Sequence, residues 1–590
     1  MIVEMKKITV LLSPKQTGLA LAKLRKIGIV HIKHMTEPSA HQIASLEAQL
    51  DRAQKAISLL KNTETKNEVP SREDVHENIK KIICNDQQRQ KLISRCQELD
   101  KKLEWFKLWG NVSQSCIDEL REKGIYVKLY ACSRGDLRNI KKRGDVYIIY
   151  NRGNNFFCAL LSTDKDLALQ FQEISPPKES LSSVRKKIFS IYKELGSINA
   201  TMLRLSQYKE SLIDFKQELE KRIEFCQVRF GMLEQSGVRC LQGFFPKDLE
   251  KTIKDTADKE GWGYLIEEPK HLDQVPTLIR YPRWAKIIQP VFKFMGAVPG
   301  YAEFDISSWF LVFFSIFFAM LIGDGGYGLI FLGLTYLIQK KFPAIPRLPI
   351  FLFYCLGAST LLWGAVTGNW FGNEKILQIP LFKSLVIPSL NAYVESNNLY
   401  LMKLCFLLAA TQLSIAHSWF IVRLSNNLKA LAHIGWVSII WGVYFLVSLL
   451  VLDEPMPFFS KYLFIGGGVL VVLFSNPQKN ILKGIGATLG NLPFKLINSF
   501  ADTLSYLRLF AIGYASFMIA VSFNQIAMLV GFSSVFRTLT AALILLAGHS
   551  LNILLGLMSV LVHGIRLNML EFSGHLDMEW AGIEYQPFKE

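Results

Sequence analysis

The sequence predicts two unlike parts: an α+β cytoplasmic arm over residues 1–300 and an all-α polytopic membrane domain over residues 301–590. Of the 590 residues, 50% are hydrophobic and 20% are charged, with 67 Lys and Arg against 50 Asp and Glu. Charged residues are dense up to about Arg283, whereas long apolar runs dominate from Trp309 onward. A disordered chain is not so apolar, and a chain of this length exceeds one ordinary domain. These observations favour a soluble arm followed by a membrane protein.

Strand patterns in the arm predict two small α/β lobes. Residues 7–12 and 28–32 are strand-like and flank a helical stretch, which is a β-α-β rhythm. We expect this proximal lobe to comprise residues 1–40 and 236–275. A second β-rich patch predicts a distal α/β lobe over residues 122–175.

Apolar residues at alternating spacings of three and four predict a coiled coil between the lobes. The first seam consists of Ile43, Leu46, Leu50, Ala53, Ile57 and Leu60. After an interruption at residues 67–70 it resumes with Leu92, Cys96, Leu99, Leu103 and Phe106. The returning seam consists of Leu181, Val184, Ile188, Ile191, Leu195, Ile198, Met202 and Leu205. We therefore expect one antiparallel hairpin over 41–121 and 176–234, the alternative being two coiled coils that pair with other chains. The Pro-rich residues 276–300 are the expected connector.

Eight apolar segments are expected to cross the membrane. A spanning helix needs about 20 apolar residues, since each residue adds about 1.5 Å across a core about 30 Å thick. The segments are residues 308–322, 326–338, 350–371, 400–422, 431–452, 463–474, 485–530 and 535–570. The last two are too long to stand upright, so they are expected to be tilted. For the seventh the alternative is a break, which Gly484, Gly486, Gly490 and Pro493 near its start would allow. An even number of spans and the modest excess of Lys and Arg in one set of loops predict that both termini are cytoplasmic.

Cysteine usage and missing motifs narrow the function. Seven of the nine cysteines are scattered between Cys84 and Cys240 without a C-x-x-C motif, which favours a reducing compartment. No phosphate-binding G-x-x-x-x-G-K-[ST] motif occurs, so the chain is not expected to hydrolyse ATP on its own. Neither a metal site nor a cofactor is expected, because no Cys/His metal spacing is present. Basic and acidic residues are mixed on the helices, which argues against a nucleic-acid partner.

Two arginines lie inside segments that should be apolar. Arg508 is central in its segment, where an arginine costs from about 2.5 to over 10 kcal/mol, and Arg566 lies near the end of the last segment. Nearby polar residues are Asn498, Asp502, Ser505, His549, Asn552 and His563. Spacings of four, three and three place Asn498, Asp502, Ser505 and Arg508 on one helix face. The sequence therefore predicts an aqueous pathway, although Arg566 alone could extend to the membrane interface.

The residues around the two arginines resemble a known family. The stretches SYLRLFA at 505–511 and HGIRLNMLEF at 563–572 closely resemble the last two helices of the V/A-type rotary ATPase stator membrane subunit. This subunit is called subunit a in eukaryotes and subunit I in archaea and bacteria. Residues 317–320 and the turn at 323–328 look like the first membrane hairpin of that family. The resemblance extends over the whole chain.

The resemblance implies a function, partners and site residues. In this family the subunit forms two ion half-channels against a rotating proteolipid ring (c/K-type subunits) and couples H⁺ or Na⁺ translocation to ATP hydrolysis or synthesis. Peripheral stalk subunits (E/G-type), the central subunit that caps the ring (C/d-type) and membrane lipid are the further partners implied. Arg508 would be the essential ring-facing arginine and Arg566 its supporting arginine. The half-channel candidates are Asn498, Asp502, Ser505, His549, Asn552, His563 and Glu571.

The sequence departs from the family pattern at two positions. Many members carry a glutamate about ten residues before the second arginine, where Gly556 stands here. Some carry another about fourteen residues before the first arginine, where this chain has Phe494. The half-channels must therefore use other polar groups. Two different functions stay as alternatives: an autonomous anion transporter and a non-conducting coiled-coil membrane scaffold.

Overall fold

The computed structural model describes residues 1–590 except 39, 61–71, 113, 134–136, 138–144, 154, 164–172, 236, 271–272 and 477–480. The chain divides into two compact units. The membrane unit comprises Met1–Leu11, Ile27–Lys33 and Gln242–Lys589, and the arm unit comprises Leu12–Lys26 and His34–Leu241. The domain boundaries expected from the sequence stay a prediction.

The secondary structure follows the two-part pattern of the sequence, with strands concentrated in the first half and long helices in the second. The strands are β1 Met5–Leu12, β2 His31–Lys33, β3 Tyr126–Ser133, β4 Asp145–Arg152, β5 Asn155–Ser162, β6 Leu233–Gln235, β7 Val238–Pro246, β8 Gly263–Glu267, β9 Pro276–Thr277 and β10 Ile583–Glu584. The α-helices up to residue 300 are α1 Thr17–Ile27, α2 His41–Leu59, α3 Arg72–Trp109, α4 Gln114–Glu122, α5 Leu181–Leu205, α6 Lys209–Phe230, α7 Glu250–Glu260 and α8 Gln289–Met295. The later helices are α9 Ser307–Ile322, α10 Gly325–Lys341, α11 Arg347–Thr367, α12 Pro380–Leu385, α13 Asn398–Arg423, α14 Lys429–Leu452, α15 Ser460–Phe474, α16 Ile481–Ser505, α17 Leu507–Val530 and α18 Val535–Ser559. The expected mixed α/β character of the N-terminal region is confirmed.

The arm unit is built on two pairs of long helices. Helix α2 packs against α6, and α3 packs against α5. One apolar cluster joins Ala53, Ala56 and Leu60 to Leu212 and Leu219. The second cluster contains Cys96, Leu99, Phe106, Val184 and Ile191. The seams thus find partners within the chain, and the seam that starts near Leu46 packs on α6 rather than on the first turns of α5. The interruption expected at residues 67–70 lies outside the described residues.

The described strands form three sheets. In the arm unit, β3, β5 and β4 form an antiparallel sheet in that order, with Tyr130 opposite Cys158. In the membrane unit, the strand order is β2-β7-β1-β8, and β1 runs antiparallel to β8 with Lys7 opposite Glu267. The short strands β9 and β10 pair in parallel, which joins residues close to the C-terminus to the connector.

Each of the eight predicted membrane segments contains a helix, although α11 ends at Thr367, before the expected end at residue 371. Among the described residues, five helices are long and apolar enough to span a membrane: Arg347–Thr367, Glu395–Arg423, Lys429–Leu452, Thr488–Val530 and Val535–Phe572. Helices α9 and α10 are bent by 118° at their junction and make a sixth span if counted together. Helix α15 is shorter. The count of eight spans therefore stays a prediction.

The seventh segment is interrupted near its middle rather than near its start. Helix α16 continues through Pro493, so the break that the glycines and this proline would allow does not occur there. Membrane helices tolerate proline where the surroundings satisfy the freed backbone groups. The helical pattern is instead interrupted at Tyr506, whose side chain is fully buried and whose hydroxyl donates to Gln412 Oε1 at 2.8 Å. The junction of α16 and α17 is thereby fixed to α13, two residues before Arg508.

Candidate functional site

Two arginines share one buried carboxylate in the membrane unit. Glu571 Oε1 lies 3.7 Å from Arg508 Nη2 and 3.5 Å from Arg566 Nε. The Glu571 side chain is 4% exposed, against 28% for Arg508 and 51% for Arg566. Arg508 also donates to Ser505 Oγ at 3.0 Å. We call these four residues the arginine cluster. Two positive charges and one negative charge leave it with a net charge of +1.

Local helix geometry brings Arg566 and Glu571 together. The last helix changes to π-helix over Val560–Gly564 and Leu567–Phe572. A π-helix bonds residue i to residue i+5, so side chains five positions apart come to similar sides of the helix. In a regular α-helix, neighbours on one face are three or four apart. The π-helical turns therefore allow Glu571 to approach Arg566.

A chain of imidazoles leads away from Asp502. Its Oδ2 lies 3.2 Å from His575 Nε2, and His575 Nδ1 lies 3.1 Å from His417 Nε2. His417 Nδ1 lies in turn 3.1 Å from His433 Nδ1. We call these four residues the histidine chain. They come from α16, α13, α14 and the turn after the last π-helical segment, so the chain exists only in the packed structure.

A different polar network lies around Asn552, which is 1% exposed. Its amide donates to Tyr327 OH at 3.1 Å and to the Ser516 carbonyl at 2.8 Å, and Ser516 Oγ donates to Asn552 Oδ1 at 3.0 Å. Tyr327 OH lies 2.7 Å from His549 Nδ1, and His549 Nε2 lies 3.3 Å from Asn524 Oδ1. We call these five residues the amide network.

The beginning of α10 positions Tyr327 for this network. Asp324 caps the helix, and its Oδ1 accepts hydrogen bonds from the Gly326 and Tyr327 amides at 2.8 and 3.3 Å. The same oxygen accepts from the Phe371 amide at 2.9 Å. A side-chain cap satisfies amides that the first helical turn leaves unpaired. The acidic residue of the predicted 323–328 turn therefore has a structural role here.

The three polar groups follow one another along the two longest candidate membrane spans. On the 488–530 helix the order is Asp502, Arg508 and Ser516, separated by about 9 and 12 Å along the axis at 1.5 Å per residue. On the last helix, Asn552 comes first and Glu571 follows, and His575 lies just beyond the end. The orders are opposite, as expected for adjacent antiparallel helices. The arginine cluster is therefore flanked by the histidine chain on one side and by the amide network on the other.

The structure brings most of the predicted site residues into these groups, while two stand apart. Asn498 is exposed. His563 is partly buried close to the two arginines, and its Nδ1 is buried without a hydrogen-bond partner among the described residues.

Sequence reasoning missed His417, His433, His575 and Tyr327. His417 and His433 carried a usable signal, because both lie in predicted spans, where ionisable residues are rare.

Metal binding is not supported at these sites. No group of three or more His, Cys, Asp or Glu side chains could hold a metal ion in the part of the chain that the structure describes. The histidines form a line rather than surrounding a common point.

The five described helices that are long and apolar enough to cross a membrane define a polytopic membrane protein, and the arginine cluster is its candidate site. No protein-family model matches the chain. The chain is 32% identical to the V-type ATP synthase subunit I of Borreliella burgdorferi, over 100% of both chains. It is 29% identical to V-type ATP synthase subunit I 1 of Treponema pallidum, again over 100% of both chains. It is 26% identical to the A-type ATP synthase subunit I of Methanocaldococcus jannaschii, over 70% of this chain and 64% of that one. The chain belongs to the subunit I family of V-type and A-type ATP synthases.

Proposed function

We propose that the chain is the membrane stator subunit of a V/A-type rotary ATPase. It forms two ion half-channels against a rotating proteolipid ring and couples H⁺ or Na⁺ translocation to ATP hydrolysis or synthesis. ATP itself is bound and hydrolysed by other subunits. The names of the full-length relatives support the class of complex, and the polar groups of the membrane unit support the role within it.

The observation that carries this proposal is the net charge of the arginine cluster. Glu571 can compensate only one of the two guanidinium groups, so one positive charge stays available. Arg508 is partly exposed, and its guanidinium stays protonated at any physiological pH. A carboxylate on an arriving ring subunit would be held in its ionised form by this charge, because an opposite charge nearby favours ionisation.

The positions of the other groups support two separate half-channels. The histidine chain and the amide network lie on opposite sides of Arg508 along the same helix. An ion that enters through one group meets the positive charge before it reaches the other. The arginine therefore blocks a direct leak, and the ion must travel with the ring.

Orientation and further partners belong to the same proposal. Both termini and the arm unit face the cytoplasm, as the excess of basic residues in one set of loops predicts. The arm unit binds the peripheral stalks and the central ring-cap subunit. Its paired helices form a stiff strut, and α5 presents Phe189 and Tyr192, 74% and 58% exposed, as apolar contact surface.

The test is replacement of Arg508 in the whole complex. We expect Arg508→Ala and Arg508→Gln to reduce ATP-driven acidification or sodium uptake in vesicles at least tenfold while the complex still assembles. Arg508→Lys should also fail, because one compact ammonium does not reproduce the planar set of donors of a guanidinium. Arg566→Ala should be milder, since Arg566 is 51% exposed and water can replace part of its contacts.

Arg537→Ala is the matched control. Arg537 is an exposed arginine near the start of α18, where it donates to Ser533 Oγ. Its removal should leave transport unchanged. Near-normal transport by an assembled Arg508→Ala complex would overturn the proposal. Transport that continues in the isolated chain, without other subunits, would favour an autonomous transporter instead.

A further inference from the structure

We infer that the transported ion is the proton, and that it passes the histidine chain in the order His433, His417, His575 and Asp502 or the reverse. This inference rests on the proposed function, since it concerns the half-channel on the Asp502 side of Arg508. It adds the chemical identity of the ion and the residues that hand it on.

The geometry of the histidine chain suits proton transfer at every step. The three successive contacts are 3.1, 3.1 and 3.2 Å between nitrogen or oxygen atoms that can donate or accept a hydrogen bond. His417 and His575 each use both ring nitrogens, one toward each neighbour. The chain is therefore continuous, with no gap that a further group would have to bridge.

The exposed fraction of the side chains varies along the histidine chain as proton transfer between two accessible ends requires. His417 is 6% exposed and so is shielded from bulk water, whereas His433 is partly exposed at one end. At the other end the Asp502 side chain is 31% exposed. Asp502 lies about 9 Å along the helix from Arg508, at six residues of 1.5 Å each. A proton can thus enter at one accessible end and leave at the other, close to the arginine cluster.

Packing holds the imidazole rings in this arrangement. The His433 ring stacks on Phe420 with centroids 4.5 Å apart and planes 9° apart. The His417 ring lies nearly parallel to Trp436, with planes 12° apart. Lys495 and Asp577 are the charged residues that act electrostatically on His433. Lys495 and the two neighbouring histidines act on His417.

The hydrogen bonds are consistent with three neutral histidines beside an ionised aspartate. A neutral imidazole donates through one nitrogen and accepts through the other. His575 Nε2–H then donates to Asp502, His417 Nε2–H donates to His575 Nδ1, and His433 Nδ1–H donates to His417 Nδ1. No donor faces a donor.

A proton that arrives at His433 Nε2 can be passed on without any other reactant. The Nδ1 proton of His433 moves to His417 Nδ1, the Nε2 proton of His417 moves to His575 Nδ1, and the Nε2 proton of His575 moves to Asp502. One proton is taken up and one is delivered, so the charge balances. Each imidazole ends as its other tautomer, and rotation of the rings or transfer in the opposite direction restores the starting state.

The histidine chain is unsuited to conducting sodium ions. Hard alkali and alkaline-earth cations prefer several oxygen ligands, whereas three of the four members here offer ring nitrogens. The members are arranged in a line, and among the described residues no three His, Cys, Asp or Glu side chains are grouped so that they could hold a metal ion. Sodium could interact with Asp502 but could not be handed from one imidazole to the next.

The experiment uses the complete complex in vesicles with sodium-free buffer. We expect the wild type to acidify the vesicles on addition of ATP, and a protonophore to collapse the gradient. His417→Gln and His575→Gln should reduce acidification at least tenfold in assembled complexes, because glutamine keeps hydrogen bonding but does not accept and release a proton. His433→Gln, at the accessible end, should give a smaller loss and serves if the buried variants assemble poorly. His41→Gln in the exposed first turn of α2 is the matched control and should pump normally.

The possible failures are distinguishable. If transport requires sodium and radioactive sodium accumulates, the proton assignment is overturned, while dependence on Arg508 would still support the proposed function. If the assembled His417→Gln or His433→Gln complex acidifies at the wild-type rate, the histidine chain is overturned as the route. Near-normal transport by Arg508→Ala would instead overturn the proposed function itself. A merely structural role for the histidines would leave the pH profile of residual pumping unchanged, whereas loss of a titrating relay should alter it.

Discussion

The arm unit and the membrane unit treat charge in opposite ways. In the arm unit, ion pairs such as Lys81–Glu77 and Arg222–Glu218 join side chains that are 35–63% exposed and lie one turn apart on the same helix. In the membrane unit, Glu571 is 4% exposed and is approached by two arginines from different helices. Exposed pairs of the first kind contribute about 0.2–1 kcal/mol each. Removing one partner of a buried ionic group costs about 3–5 kcal/mol.

This difference indicates what each set of charges is for. Charges on the arm helices keep the surface soluble and are individually replaceable. A buried charge such as that of Glu571 must be solvated by specific partners, since bulk water cannot reach it freely. The arginine cluster, the histidine chain and the amide network supply such partners within the membrane unit, and each should respond strongly to substitution.

The largest effect on stability is expected for Glu571→Gln. Glutamine preserves the volume but removes the negative charge, so the net charge of the arginine cluster rises from +1 to +2. We expect the complex to lose about 3 kcal/mol of stability, at the lower end of the range for broken buried pairs because both arginines are partly exposed. The thermal midpoint of the purified complex measures this loss.

Glu454→Gln is the control for that change within the same unit. Glu454 pairs with Lys403 at 2.7 Å, but the two side chains are 42% and 41% exposed. Its substitution should shift stability by less than about 1 kcal/mol. Equal shifts for Glu571→Gln and Glu454→Gln would show that burial does not separate the two classes of charge.

A smaller loss is expected for Asn552→Ala in the amide network. The substitution leaves Tyr327 OH and the Ser516 hydroxyl and carbonyl without their shared partner in a buried place. An unsatisfied buried polar group costs about 1–3 kcal/mol, so we expect a loss of about 2 kcal/mol. Asn498→Ala, at an exposed position on α16, should have almost no effect on the thermal midpoint. A stable Asn552→Ala complex would mean that water fills the site and satisfies these groups.

The sequence allowed the arginine cluster to be predicted better than its surroundings. Arg508 and Arg566 stand out because a guanidinium in an apolar segment needs a reason, and regular helical spacing linked Ser505 to Arg508. The contact of Arg566 with Glu571 depends on π-helical turns, which local spacing rules do not anticipate.

The histidine chain could not be assembled from the sequence, because its members lie on elements up to 158 residues apart, from His417 to His575. A single histidine in a helix has many structural explanations. Only the packing of α13, α14 and α16 with the end of the last helix shows that these histidines are neighbours.

In the fold, too, features with a local sequence signal could be predicted, whereas features that depend on tertiary contacts could not. The apolar segments were long and strongly patterned, so their helices could be predicted, as could the seams of the arm unit. The break before Arg508 could not, because proline and glycine are the obvious signals and they lie earlier. Tyr506 interrupts the helix at a buried hydrogen bond to Gln412, which is a tertiary contact 94 residues away in sequence.

The smallest effect is expected in the arm unit, for Glu179→Gln. Glu179 pairs with Lys187 at 2.9 Å and with Lys102 at 3.4 Å, and its side chain is 30% exposed. The contact with Lys187, opposed by partial desolvation and assisted by Lys102, lowers the pKa of Glu179 from its ordinary value of 4.5. Because the folded-state pKa is below the unfolded one, the stabilisation is fully present above pH 4.5 and is lost as the pH falls through the folded-state pKa. Solvent screening limits it to less than about 1 kcal/mol. We therefore expect Glu179→Gln to lower the thermal midpoint slightly at pH 7 and by less at pH 3, in a complex that tolerates both conditions. An equal loss at both values would mean that the carboxyl group acts through packing rather than charge, and a loss as large as that of Glu571→Gln would remove the contrast between the two units.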